Sequence, residues 1–152
     1  MKLILGLLLL LVGCNKTPPP LLQLEMYGNN QAALYIVQQN GGVAFGGGMN
    51  ALSGVITWRG QLTELQFMKL QVLLDAELEN KSSTNRINRY VITVFTEESR
   101  EKRILPLTNT NATKLYYFLE EATLSRIQPH LDALPRPSME VISDRVIKGT
   151  KE

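Results

Sequence analysis

The sequence is poor in the residue types from which cross-linked and reactive sites are built. One Cys among 152 residues leaves no intrachain disulfide partner, and one Cys with one His cannot supply the thiolates and imidazoles of a zinc site. Charge of one sign is scarce too, since 16 Lys and Arg stand against 14 Asp and Glu for a formal net charge of +2. That balance is too weak to hold phosphate backbones by counterion release, and no Lys/Arg stripe interleaved with aromatics occurs, so nucleic acid is excluded as a partner. A membrane-spanning run is also missing. The stretch from Leu3 to Gly13 is wholly apolar or Gly, but it is stopped abruptly by Asn15, Lys16 and the prolines at 18, 19 and 20. A spanning helix needs roughly 20 apolar residues, so this segment has the length of a signal-peptide core instead, with Lys2 as its positive flank.

The four residues that end the run, Leu11, Val12, Gly13 and Cys14, resemble the lipobox of bacterial lipoproteins. The resemblance covers the leader alone. It implies that the Cys14 thiol receives a diacylglyceryl group, that a dedicated peptidase recognises Leu11, Val12 and Gly13 and cuts after Gly13, and that the new amino group becomes acylated. Chemistry fits each step. Gly13 lets a protease approach the backbone, and a Cys sulfur is nucleophilic enough for thioether formation. One acyl chain holds a protein reversibly and two or three hold it firmly, at about 0.8 kcal/mol per buried methylene. Cys14 is then an anchor and not a redox site. In the family, Asp after the Cys retains lipoproteins in the inner membrane; Asn15 departs from that signal, so the expected address is the bacterial cell envelope, at the outer membrane rather than the inner.

The domain plan that follows is a signal peptide over 1–13, a lipidated Cys and Pro-rich extended tether over 14–20, a globular domain over 21–130 and a Pro-containing extension over 131–152. Within the globular part, Ala33 to Gln38 is β-branched and aromatic enough to form a strand, and Gly42 to Phe45 offers a second. Asn40-Gly41 between them favours a type I′ hairpin in which both residues take positive φ. Gly46, Gly47 and Gly48 read as a flexible connection to a third strand over Gly54 to Arg59. Thr63 followed by Gln66 is the pattern of a capping box, and the helix it opens runs to about Glu79. Leu65, Met68, Val72 and Ala76 recur at helical spacing, as do Phe67, Leu70, Leu74 and Leu78, which predicts a helix buried on more than one side.

Tyr90 to Phe95 is the clearest strand. The charged segment Glu97 to Arg103 connects it to a hairpin partner over Ile104 to Leu107, with Pro106 at an edge or near its end. Asn111 is placed to cap a second helix carrying Leu115, Phe118, Leu119 and Ala122 inward and fading near Pro129. Met139 to Ile147 reads equally as an added strand or a loosely held tail. The element order predicts a small α+β domain: an antiparallel sheet with two helices packed on one face.

Reactive constellations do not assemble from this pattern. Gly41-Gly42 and Gly46-Gly47-Gly48 lack the Gly-Lys-Ser/Thr of a phosphate loop, and a GxGxxG template started at Gly46 fails at Ala51. A hairpin turn and a loop explain them; the functional alternative is a binding loop formed by Asn40, Gly41, Gly42, Gly46, Gly47 and Gly48, whose backbone a partner can approach closely. His130 has no recognisable nucleophile near it in sequence. Glu97-Glu98 and Glu120-Glu121 are adjacent pairs whose side chains diverge, on a strand or a helix, and so do not converge on one bond. Trp58, Tyr90, Tyr116 and Tyr117 suit either core packing or an aromatic contact surface. No cofactor or catalytic set is implied, and the expected partners are the membrane, through the N-terminal lipid, and another protein.

From Val37 to Leu124 the chain also carries Gln38-Gln39-Asn40-Gly41-Gly42-Val43-Ala44-Phe45, the Leu73-Leu74 pair, Tyr90-Val91-Ile92-Thr93-Val94 and a terminal helix. In that order these resemble the emfourin group of small proteinaceous inhibitors. The likeness implies binding to a thermolysin-like metalloprotease by loops at one end of the sheet. The lipid anchor and the C-terminal segment depart from that pattern, and no inhibitory residue carries over.

Overall fold

The computed structural model describes residues 19–75 and 88–134. Leu11, Val12, Gly13 and Cys14, the expected end of the first helix beyond Asp75, and the segment from 135 onward lie outside the described residues. Six strands, β1 (Pro20–Tyr27), β2 (Ala32–Gln38), β3 (Gly42–Gly47), β4 (Trp58–Gln61), β5 (Arg89–Phe95) and β6 (Arg100–Pro106), form one antiparallel sheet in the order β4-β3-β2-β1-β5-β6. The helices are α1 (Met49–Leu52), α2 (Glu64–Asp75), α3 (Thr110–Ala122) and α4 (Gln128–Asp132), with a 3-10 turn over Leu124–Arg126. The fold is α+β, as the element order predicts.

The strand at the centre of the sheet, β1, is the one absent from the expected plan. Its signal is present in the alternation of Leu22, Leu24 and Met26, all buried, with the half-buried Gln23, Glu25 and Tyr27. Pro20, expected in the tether, opens this strand at a position where its missing N–H is tolerated, and pairs with Gln38. Leu24 sits between Tyr35 of β2 and Ile92 of β5. This face, continued by Val37, Val43, Tyr90 and Leu105, packs against Leu70 of α2 and Ala112, Leu115 and Leu119 of α3.

Both long helices thus cover one face. The short α1 lies on the opposite one, where Ala51 and Val55 sit over Gly46, whose neighbour in the register is Leu34.

Local chemistry sets the helix starts. Thr63 N–H donates to Gln66 Oε1 at 2.9 Å and Gln66 N–H returns a bond to Thr63 Oγ1 at 3.2 Å, the reciprocal capping box anticipated from the spacing. The second helix is capped two residues earlier than expected: Asn109, not Asn111, accepts from Ala112 N–H at 2.9 Å. The structure also corrects the burial of α2. Phe67, Leu70, Leu73 and Leu74 face the core, whereas Leu65, Met68 and Val72 are exposed. The helix is buried on one side, because α3 and the sheet together occupy one flank of it. Further corrections come at the strands. β4 begins at Trp58 rather than Gly54, since Val55 N–H is taken by Asn50 O at 2.7 Å in the turn after α1. β6 extends back through Arg100 to Arg103, whose charges suit an exposed edge strand.

Candidate functional site

The glycines expected to form one binding loop do not come together. Gly41 closes the β2–β3 turn, donating to Gln38 O at 2.9 Å with φ 81°, and Asn40 Oδ1 accepts from Gly42 N–H at 3.0 Å. Asn40 does not take positive φ, since no described non-glycine residue does. The three-residue loop Gln39-Asn40-Gly41 with its one left-handed glycine therefore replaces the expected type I′ turn.

Gly46 and Gly47 are strand residues of β3, paired with Leu34 and Ala33, and Gly48 is the N-cap residue just before α1. They lie at the opposite end of β3 from Asn40 and Gly41, roughly 17 Å away at strand rise. Gly46 is needed for close approach. A Cβ there would stand 2.3 Å from the backbone oxygen of Val55, whereas at Gly28 the nearest atom would be 3.7 Å away. Gly46→Ala is expected to cost about 1–3 kcal/mol in urea denaturation, with Gly28→Ala within about 0.5 kcal/mol of the parent. Equal stabilities would show that the α1 turn yields freely.

The end of the sheet that carries Gly48 gathers the concave surface. There the β1–β2 loop, Gly28 to Gln31, is pinned by Gly28 N–H donating to Gln31 O at 2.8 Å. On one side of it a groove of about 460 Å³ is shared with Gly48, Met49 and Leu52. On the other, a groove of about 670 Å³ is shared with Asn88, Pro106, Leu107 and Thr108. From Leu107 and Thr108 a third, of about 570 Å³, continues between α2 and α3 past Lys69, Lys114 and Tyr117.

Asn29, Asn30 and Gln31 are exposed amides, and Met49 and Leu52 are exposed apolar side chains. Among the described residues no carboxylate, imidazole or ammonium lines the first two grooves. Amide donors and acceptors beside an adaptable Met and a Leu suit hydrogen bonding and apolar contact with another polypeptide. Sequence reasoning missed this loop because its signal, Gly28-Asn29-Asn30, is a turn signal that gains meaning only once β1 is recognised as a strand.

The floor beside the loop is held by Tyr27, which donates to the Glu25 carboxylate while the Arg89 guanidinium sits 5.0 Å from its ring centroid. Burial, then the Glu25 hydrogen bond, push the Tyr27 phenol up to about 12.

A second polar cluster ties α3 to the sheet. Tyr35, fully buried, donates to Glu120, and Glu120 pairs with Arg126. Arg126 also donates to Thr123 O at 2.9 Å and lies 4.3 Å from the centroid of Phe45, so a cation caps the carbonyls that end α3. Tyr35 meets Phe45 and Tyr116 edge-on or tilted, at 5.0 and 6.1 Å between centroids. Burial first, then Glu120, raise the Tyr35 phenol; burial, then Glu120, push Tyr116 up to about 12.

A phenol whose folded pKa lies above its ordinary 10.0 stabilises the fold while protonated. The contribution of Tyr27 and Tyr116 is thus fully present below pH 10.0 and lost as pH rises through about 12. Denaturant midpoints measured across that window are expected to fall, alongside the phenolate absorbance. A midpoint that stays flat while the phenols ionise would contradict this linkage.

The remaining nominated residues are dispersed. His130 is exposed on α4 and lines none of these grooves. Glu97 and Glu98 sit exposed at the β5–β6 turn, while Glu120 turns inward and Glu121 stays exposed. Tyr90 is buried, Trp58 and Tyr116 are half-buried against the core and Tyr117 is exposed, so these aromatics form no shared surface patch. Among the described residues no group of three or more His, Cys, Asp or Glu is placed to hold a metal ion, and no helix is long and apolar enough to cross a membrane. The chain matches no protein-family model and no curated protein.

Proposed function

We propose that the chain is a lipid-anchored lipoprotein of the bacterial envelope whose domain binds another protein without catalysing a reaction. The observation that carries this reading is the Leu11-Val12-Gly13-Cys14 motif at the end of an apolar segment too short to span a bilayer, followed at Pro20 by the first strand of the domain. The loop end supports the binding role, because its grooves offer amides and apolar side chains to a polypeptide. β1 runs from the tether toward that end, so the same end is the one carried away from the acylated residue. Mass spectrometry of the protein isolated from bacterial membranes tests the anchor. The expected N-terminal fragment begins at Cys14 and carries a diacylglyceryl group, whereas an intact Met1 and a bare thiol would overturn the reading.

A second reading is favoured by the position of the grooves at one end of the sheet, which is where the resemblance to emfourin-type inhibitors puts the contact with a protease. Titration of the mature protein against thermolysin-like metalloproteases distinguishes it. Stoichiometric loss of protease activity supports inhibition, and full activity at micromolar protein removes it.

A further inference from the structure

We infer that the exposed stripe of α2 rests on the lipid surface to which the chain is anchored, an inference that relies on the acylation of Cys14 proposed above. Leu65, Met68 and Val72 stand three and four residues apart, so they share one side of the helix, and they are 74, 56 and 70% exposed. A single exposed apolar residue is ordinary. Three in line on one helix, on the side away from a core row already seated through Leu70, form an apolar edge that, apart from the small groove Leu65 shares with Phe118 and Ala122 of α3, nothing among the described residues covers.

What covers this edge follows from where the chain leaves the domain. Gln39 N–H donates to Pro19 O at 3.2 Å, so the N-terminal exit lies beside the β2–β3 turn. α2 starts at the same turn: Leu62 N–H donates to Gly41 O at 3.0 Å, and Phe67 Cδ2 lies 3.6 Å from the position a Cβ on Gly41 would occupy. From Cys14 to Pro19 the backbone can stretch at most about 18 Å. Acyl chains on Cys14 therefore hold Pro19 within that reach of the bilayer surface, and the first turn of α2 lies just beyond it, across the β2–β3 turn.

From Leu65 to Val72 the stripe is about 10 Å long at helical rise, so a modest tilt of the domain brings all three side chains to the interface without lengthening the tether. Lys69, exposed and next to the stripe on the helical wheel, can lay its stem along the apolar boundary and extend its ammonium among headgroups. A second copy of the chain is a poorer occupant. Three side chains fall well short of the roughly 800 Å² that each partner buries in a stable dimer, whereas shallow interfacial contact needs only one apolar helix edge. In this pose the sheet face opposite α2, which carries Lys102, points away from the bilayer and the Gly28–Gln31 loop stays free for a partner.

The test uses the full-length acylated protein in vesicles of phosphatidylethanolamine and phosphatidylglycerol. Cys14 is the one Cys in the sequence, and its sulfur is blocked by the thioether, so an added Cys is a unique labelling site. Leu65→Cys, Met68→Cys and Val72→Cys, with Asn30→Cys and Lys102→Cys as references, all replace exposed residues and carry an environment-sensitive fluorophore. Nitroxide groups on the lipid acyl chains are expected to quench the three α2 labels at least about twofold more than the references, as insertion to the headgroup and acyl boundary requires. Equal quenching at all five positions overturns the inference. So does shielding of the α2 labels from aqueous iodide without quenching by the lipid nitroxide, which would assign the stripe to a second copy or another segment of the chain. Mass spectrometry of the same sample separates the two levels: acylated Cys14 with no α2 quenching removes the inference alone, and a bare Cys14 removes the anchor with it.

Discussion

Cys14→Ala is expected to abolish incorporation of labelled palmitate and to accumulate a precursor that retains Met1, because the one other sulfur in the first 25 residues is that of Met1, which is methyl-capped and no nucleophilic thiol. The effect is all-or-none. Processing waits on acylation, and globomycin blocks the peptidase itself, so treated cells carrying the parent sequence are expected to accumulate an uncleaved precursor that, unlike the variant, already bears the diacylglyceryl group. The released form would partition to the soluble fraction only if the leader were cut by another route, and the apolar Leu3 to Gly13 segment otherwise keeps the precursor membrane-associated. The decisive measurement is palmitate labelling read beside the gel mobility of precursor and product. Unchanged labelling and unchanged mobility in Cys14→Ala would remove the lipid anchor, and with it the assignment to the envelope.

Glu120→Leu is expected to give the largest loss of stability among substitutions in the described domain. Glu120 is the shared acceptor of two groups: the Tyr35 hydroxyl, in a fully buried side chain, and Arg126, whose side chain is 8% exposed against 34% for Glu120 and whose other hydrogen bonds go to neutral oxygens of Glu120 and Thr123. Removing the carboxylate leaves a desolvated cation and an unsatisfied donor on the same spot, which costs roughly 3–5 kcal/mol. With a typical urea dependence for a domain of this size, the midpoint should fall by roughly 2 M. Removing both ends of the pair, as in Glu120→Leu with Arg126→Leu, is expected to recover part of the loss, since the uncompensated charge is gone. A Glu120→Leu midpoint within the error of the parent would mean that α3 is held by Leu115 and Leu119 alone, and that the polar cluster is incidental.

Much of the fold is local, and to that extent it was legible. The Thr63 and Gln66 capping box forms because both partners lie within one helical turn, so no tertiary contact is needed to bring them together. Ala33 to Gln38 and Tyr90 to Phe95 are strands, as their composition indicates. Where competing local signals existed, tertiary pairing chose between them. Asn109 and Asn111 both suit an N-cap, and the β6 register, ending at Pro106, places Asn109 where the helix must turn. Leu65 and Leu70 belong to equally regular apolar rows of α2, and no periodicity says which row meets the sheet.

The site was less legible than the fold. Asn40 and Gly41 close a turn and Gly46 admits the Val55 carbonyl, so the nominated glycines serve backbone geometry at two separate ends of β3. The Gly28–Gln31 loop escaped notice because β1 did, and β1 escaped because its alternation sits directly behind three prolines. The cluster of Tyr35, Glu120 and Arg126 joins residues 85 positions apart, a separation over which sequence pattern carries no information.

By itself the sequence determined the features that depend on neighbours along the chain: the apolar N-terminal run and its lipobox-like end, the place of the turn at Asn40-Gly41, the helix cap at Thr63 and the strand character of Ala33 to Gln38 and Tyr90 to Phe95. Backbone hydrogen bonds and side-chain periodicity act over a few residues, so these are written locally. Only the tertiary structure decided that β1 lies at the centre of the sheet, that one row of α2 is buried while Leu65, Met68 and Val72 are left outside, and that Glu120 joins Tyr35 to Arg126. Those outcomes depend on which surfaces meet across the sheet, and burial against a distant partner, not local preference, sets them.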